Sequence, residues 1–89
     1  MRKVLIRVTD DDILFGQART SQQCPIARAA RRRLKGELKV GPWDIYFTGS
    51  PEYIRLPQRA RYFVQDFDHF SPVEPINFYI TVPEALVKS

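Results

Sequence analysis

One cysteine, one histidine, one tryptophan and four glycines occur in 89 residues, and these scarcities remove whole classes of function. A lone Cys24 cannot close an internal disulfide, which fits a reducing, cytosolic compartment. With His69 as the only imidazole, zinc ligands of ordinary spacing are missing. A Cys24–His69 nucleophile pair would also lack a third, orienting group. No glycine-rich phosphate loop is present. No apolar run approaches the roughly 18 residues of a membrane span. The opening "MRKVLIRVTDDD" is too short in its apolar part, and charged too soon, for a signal peptide. The expectation is a non-enzymatic domain over residues 1–89, without metal or cofactor and with no membrane association.

What is abundant is basic charge, unevenly placed. Fourteen Lys/Arg stand against ten Asp/Glu, for a net charge of +4. The excess lies in residues 1–39, which carry ten basic and four acidic residues, while residues 40–89 carry four and six. A basic first half favours an anionic partner, or the two halves attract one another on folding. A hydrophobic content of 44% supplies a core.

Residues 4–8, "VLIRV", read as a strand. "TDDDILFG", 9–16, reads as a short helix: Thr9 and Asp12 form a capping-box pattern and Gly16 is a stop. The three aspartates suit the positive end of a helix dipole, which makes a structural role the simpler one than a metal site. A polar loop, 17–23, leads to the main helix, with Cys24 near the cap, Pro25 in first position and Gly36 at the end. "LKVGPWDIYFTG", 38–49, gives strand signals around a Gly-Pro break, with Trp43, Ile45 and Phe47 on one face, so Trp43 is expected in the core. "GSPE" turns the chain into "YIRL", 53–56. A second helix, "PQRARYFVQDFDHF", has Ala60, Phe63, Val64, Phe67 and Phe70 as its core face and Gln58, Arg61, Gln65, Asp68 and His69 outward. A last strand places Ile76, Phe78, Ile80 and Val82 on one side, Asn77, Tyr79 and Thr81 on the other. The expected fold is α+β, a two-layer sandwich of a small, mostly antiparallel sheet with two main helices, in β-α-α-β-β-α-β order.

"CPIARAARRRLKG", 24–36, packs five basic residues into eight positions. Projected at 100° per residue, Ile26, Ala27, Ala30 and Leu34 form a buried stripe, while Arg28, Arg31, Arg32 and Lys35 form an outward ridge. Arg33 falls near the apolar edge and needs to snorkel or to find a carboxylate, for which Asp10–Asp12 or an acidic group of the second half are candidates. The alanines permit close packing on a sheet, a neighbouring helix or a second copy of the chain. The helix N-terminus, with its free N–H groups and positive dipole end, is the sharper candidate for a site. The loop before it adds Arg19, Thr20, Ser21, Gln22 and Gln23 as donors. A phosphate would sit among Arg19, Ser21 and the first amides of the helix, in the field of Arg28, Arg31, Arg32 and Lys35. Cys24 at that terminus is expected to be a somewhat acidic thiol. Tyr46 and Tyr79 are expected on exposed strand faces, either as a base-stacking platform or as ordinary outer-face tyrosines.

"VTDDDILFGQ", "CPIARAA", "LPQRARYFVQDFD" and "VEPINFYITVP" together resemble a group of small uncharacterised bacteriophage and prophage proteins, across nearly the whole chain. In that group "VT..DI..G", "CPIA.A", "LP..A..F...FD" and a closing "V.PF.F" strand recur in this order, and "VEPINF" departs from the last by its Ile-Asn pair. The resemblance implies a phage origin, a shared fold and the cytoplasm of an infected bacterium, and assigns no activity to any residue. By analogy, small phage proteins counter host defences by blocking a defence protein or by sequestering its nucleotide signal. The leading expectation is therefore a non-enzymatic binder of a phosphate-bearing ligand, acting in host takeover or anti-defence, as an oligomer if subunits enclose the ligand. The alternatives are a nucleic-acid-binding module using the basic helix and an inhibitor that binds a host defence protein.

Overall fold

Alternation of apolar residues in the first and last strands is matched by a register that puts both apolar rows on one side. In the computed structural model, which describes residues 1–88, β1 (Arg2–Val8) pairs antiparallel with β5 (Ile76–Val82) along its whole length. Val4 faces Ile80, Ile6 faces Phe78 and Val8 faces Ile76, so a one-residue slip would turn either row to solvent. Between them lie α1 (Asp10–Phe15), α2 (Pro25–Arg31), β2 (Leu38–Val40), β3 (Asp44–Phe47), β4 (Tyr53–Arg55) and α3 (Gln58–Asp68). A short 3-10 turn, Glu84–Leu86, follows β5.

The fold is α+β, with the strands divided between two small antiparallel sheets rather than gathered in one. The second sheet is the meander β2-β3-β4, which gives one strand more than the sequence suggests. The Gly41-Pro42 break is the cause: the Gly41 amide donates to the Asp44 carbonyl, 2.8 Å, closing a turn that makes 38–47 a hairpin. Inward, Val40, Ile45 and Ile54 form one row across the three strands. Trp43 falls in that turn, one residue before β3, and is 61% exposed instead of lying in the core. Strand alternation cannot be extrapolated through a turn.

α2 ends at Arg31, short of Gly36. The Arg32 and Arg33 amides tighten onto the Ala29 and Ala30 carbonyls. The chain is then captured by residues far away in sequence: Leu34 bridges Val87, the Lys35 amide donates to the Leu86 carbonyl and the Lys88 amide to the Arg33 carbonyl. Gly36 serves the following loop at φ 93°, where a side chain would be strained. α2 packs on both β1 and β2 and so joins the two sheets. Ala27, Ala29 and Ala30 are at most 1% exposed, and this packing leaves none of them for a contact between copies.

α3 buries Ala60, Phe63 and Val64. Phe70, expected on the same face, is 76% exposed, because the helix stops at Asp68 and Phe70 takes a left-handed backbone, φ 60°. Among the described residues, no helix is long and apolar enough to cross a membrane.

Candidate functional site

Two of the four ridge residues, Arg28 and Arg32, hold the fold. Asp12 is fully buried at the start of α1, where the capping box forms as expected: its amide donates to Thr9 Oγ1 and the Thr9 amide to Asp12 Oδ2, 2.9 Å. Arg32 reaches it with both arms of its guanidinium, Nη1 to Oδ1 at 2.8 Å and Nη2 to Oδ2 at 2.6 Å, and Nη2 also donates to the Arg7 carbonyl. Arg28 Nε lies 3.5 Å from Oδ1, and its guanidinium covers the Phe15 ring. Burial by itself would push the Asp12 carboxyl up. The Arg32 hydrogen bonds and charge, with the Thr9 amide, outweigh it and hold the group down at about 2. Its oxygens are committed to arginine and the cap, which leaves them poorly placed for a metal. Arg33 finds the Leu5 carbonyl, 3.1 Å, instead of a carboxylate, since the helical projection no longer holds past Arg31.

The loop before α2 is equally occupied. The Arg19 amide donates to Asp68 Oδ1, 2.9 Å, its Nε donates to the Asp68 carbonyl, and its guanidinium lies over Phe70. Thr20 Oγ1 donates to the Gln17 carbonyl, and the Ser21 carbonyl accepts from the Val40 amide. At the mouth of α2, Pro25, Ile26 and Ala27 are buried and the Ala27 amide is taken by Cys24 Sγ at 3.4 Å. Burial pushes the Cys24 thiol up, not down, overcoming its N-terminal position. Of the residues singled out in the sequence, Gln22, Gln23 and Arg31 share a shallow groove of about 450 Å³, with Glu37 also on its wall. Arg31 is half-buried and Lys35 exposed.

The sheets build a different surface. On the outer face of the meander, cross-strand pairing sets Lys39, Tyr46 and Tyr53 in one row and Asp44 opposite Arg55. On the outer face of the β1-β5 ribbon, Leu5 pairs with Tyr79, Lys3 with Thr81 and Arg7 with Asn77, and the Lys3 ammonium lies 5.2 Å from the Tyr79 ring centre. The two outer faces meet at a groove of about 430 Å³, lined by Tyr53 and Arg55 of β4 and by Tyr79 and Thr81 of β5. Three exposed tyrosines and the cations Lys3, Arg7, Lys39 and Arg55 thus lie on one side of the molecule, with Asp44 as the carboxylate among these strand residues. Tyr46 and Tyr79 were visible in the sequence as outer-face tyrosines. That Tyr53 and Lys39 flank Tyr46 depends on register across two turns, which residue order does not show.

A further groove, of about 480 Å³, runs along the outward side of α3 under Trp43. Arg61 lies over the Trp43 ring, 5.4 Å from its centre. The outward positions Gln58, Arg61, Gln65, Asp68 and His69 are readable from helical spacing, whereas strand alternation points Trp43 to the core and only the turn before β3 brings it here. His69 Nδ1 lies 2.7 Å from the Gln65 carbonyl, which can only accept, so Nδ1 donates there.

Comparison with protein-family models, with curated proteins and with solved structures finds no match to this chain.

Proposed function

We propose that this protein is a non-catalytic binder of a phosphate-bearing ligand, and that the ligand is single-stranded nucleic acid held on the outer face of the two sheets. The observation that carries the proposal is the row Lys39–Tyr46–Tyr53 continuing across a groove to Tyr79 and Lys3. Bases present a π-face to stack on tyrosine while cations track the phosphates, a mode that tolerates sequence and prefers unpaired strands. The helix ridge supports the reading less well, because Asp12 holds Arg32 and Arg28 and leaves Arg31 and Lys35. In the phage setting that the motifs resemble, such a protein would serve host takeover or anti-defence by sequestering a strand.

The test is fluorescence anisotropy of a labelled oligothymidylate against a duplex of equal length, across a salt series. The expected result is preference for the single strand and a log–log salt slope of about −2 to −3, for three or four neutralised phosphates. Tyr46→Ala and Tyr53→Ala should each weaken binding by roughly 5- to 150-fold, the range of one stacked base. Equal affinity for the duplex, with loss of binding in Arg31→Ala and Lys35→Ala, would move the interface to the helix. Absence of binding even at low salt would overturn the proposal.

A second reading, contact with a protein, is favoured by Leu14 and Phe15, 73% and 62% exposed at the end of α1, and by exposed Phe70. Phe70 belongs to an apolar groove that joins Ile13 of α1 to Phe67 of α3. Capture of one host protein, lost in Phe15→Ser or Phe70→Ser, would establish it. The mass of the free protein in solution would show whether a second copy of the chain covers this patch instead.

A further inference from the structure

The α3 groove has features that the sheet surface does not use. Arg61 is half-buried, and its Nε is sealed from solvent without a hydrogen-bond acceptor. Among the described residues two arginine Nε atoms are sealed without an acceptor, those of Arg28 and Arg61; Arg28 has a carboxylate within 4.0 Å and Arg61 has none. A partly desolvated cation without a counter-charge costs free energy that an anion in the groove would recover. The walls around it are aromatic, Trp43 at 61% and Tyr62 at 56% exposure, and Tyr62 is set in place by Gln58 Nε2 donating to its hydroxyl at 2.6 Å. The Gln65 side chain, His69 and Asp68, whose Oδ1 and carbonyl already accept from Arg19, complete the lining and leave the Gln65 amide for the edge of a flat ring. A volume of about 480 Å³ lies within the range of small-molecule sites, roughly 300–1,000 Å³.

We infer that this groove is a second binding site, for a nucleoside phosphate: a planar ring against Tyr62 and the part of Trp43 that Arg61 does not cover, its phosphate on the Arg61 guanidinium that Trp43 holds in place. Flat aromatic walls select a ring over an aliphatic chain. The unpaired guanidinium selects an anion and offers it several donors in a planar fork. The free source of this chemistry is a mononucleotide, and the bound source is the phosphorylated end of a strand. The site stands apart from the sheet-face tyrosines, so occupancy of one surface can be measured while the other is disabled.

Trp43 is the chain's single tryptophan, so its fluorescence reports on this groove alone. The experiment is titration of the full chain with adenosine and guanosine monophosphates, with the parent nucleosides, and with a 5′-phosphorylated oligothymidylate beside its unphosphorylated form. The expected result is saturable quenching by at least one monophosphate, binding at least tenfold tighter than its nucleoside. In Arg61→Gln that preference should fall to near unity, with far-ultraviolet circular dichroism showing the fold retained. Tyr46→Ala should leave mononucleotide binding unchanged, so a failed sheet proposal and a failed groove proposal give different results. Should the Arg61→Gln chain not fold, calorimetry on the unaltered chain decides the matter by the nucleotide-to-nucleoside ratio. If only the phosphorylated oligonucleotide quenches, the ligand is a strand end, and the same Arg61 dependence is required. No saturable quenching by any of these probes, or equal affinity for nucleotide and nucleoside, overturns the inference.

Discussion

The Arg32 guanidinium closes on the Asp12 carboxylate through two near-parallel hydrogen bonds, 2.8 and 2.6 Å, across 20 residues of chain. The carboxylate is fully buried and the guanidinium about half exposed, so the pair sits at the boundary between the core and water. It fastens the start of α1 to the end of α2, and through the Arg7 carbonyl to the end of β1.

Removing Asp12 should cost stability, not ligand affinity. Asp12→Ala loses the helix cap and both arms of the pair, but Arg32 can rehydrate at the surface, so the expected loss is about 2–3 kcal/mol. Arg32→Met leaves the buried carboxylate with only Thr9 and the more distant Arg28, and should cost at least as much. Urea unfolding measures both, and losses within 0.5 kcal/mol, roughly the spread of neutral surface changes, would show the pair to be idle.

The same pair sets an acid limit. The folded Asp12 titrates at about 2, below its value of 3.8 in an unfolded chain. Its contribution is therefore complete above about pH 5 and is lost as pH falls through 3.8 toward 2, because the unfolded state takes up the proton first. The shift corresponds to about 2 kcal/mol. Asp12→Asn should flatten the stability profile between pH 4 and 2, measured as the urea midpoint at each pH.

Gly16 is where α1 hands over to α2, and the approach is too close for a side chain. A Cβ there would stand 2.5 Å from the Asp12 carbonyl oxygen and 2.8 Å from the Pro25 ring. Its φ of −72° suits any residue, so the obstacle is contact and not backbone conformation. Gly16→Ala should destabilise by about 1–3 kcal/mol, as overpacking does. A thermal midpoint equal to that of the unaltered chain would show that the handover can widen freely.

Cys24 should be slow to react. It is 5% exposed, burial raises its thiol, and its sulfur is occupied by the Ala27 amide. Ellman's reagent at neutral pH should modify it only as fast as the chain opens, and at once in denaturant. Rapid labelling of the native protein would place the thiol in a solvent channel.

How far the sequence reached can be seen at three places. Thr9 and Asp12 announced their capping box because such a signal is local, complete within four residues. The inward row Ile76–Phe78–Ile80–Val82 was readable because alternation has a period of two and is regular from end to end, whereas apolar Leu5 blurs the alternation of the first strand and leaves its inward face to the register. Trp43 was misplaced because its position hangs on one hydrogen bond, from the Gly41 amide to the Asp44 carbonyl, that turns the chain just before the strand.

The basic run 28–35 shows the division most clearly. Composition and periodicity alone determined that a helix starts at Pro25, that Ile26, Ala27 and Ala30 face inward and that Arg28, Arg31 and Arg32 lie on the opposite arc; the burial of Ala29 came from packing. Only the tertiary structure decided which of those charges are free. Arg32 and Arg28 were drawn onto Asp12, and beyond the helix end at Arg31 the chain turns so that Leu34 pairs with Val87. Likewise, strand pairing and not residue order brought Lys39, Tyr46, Tyr53, Tyr79 and Lys3 onto one face. Helical period and capping are properties of a few consecutive residues, whereas ion pairing and sheet register depend on which distant segments the folded core brings within a few ångströms.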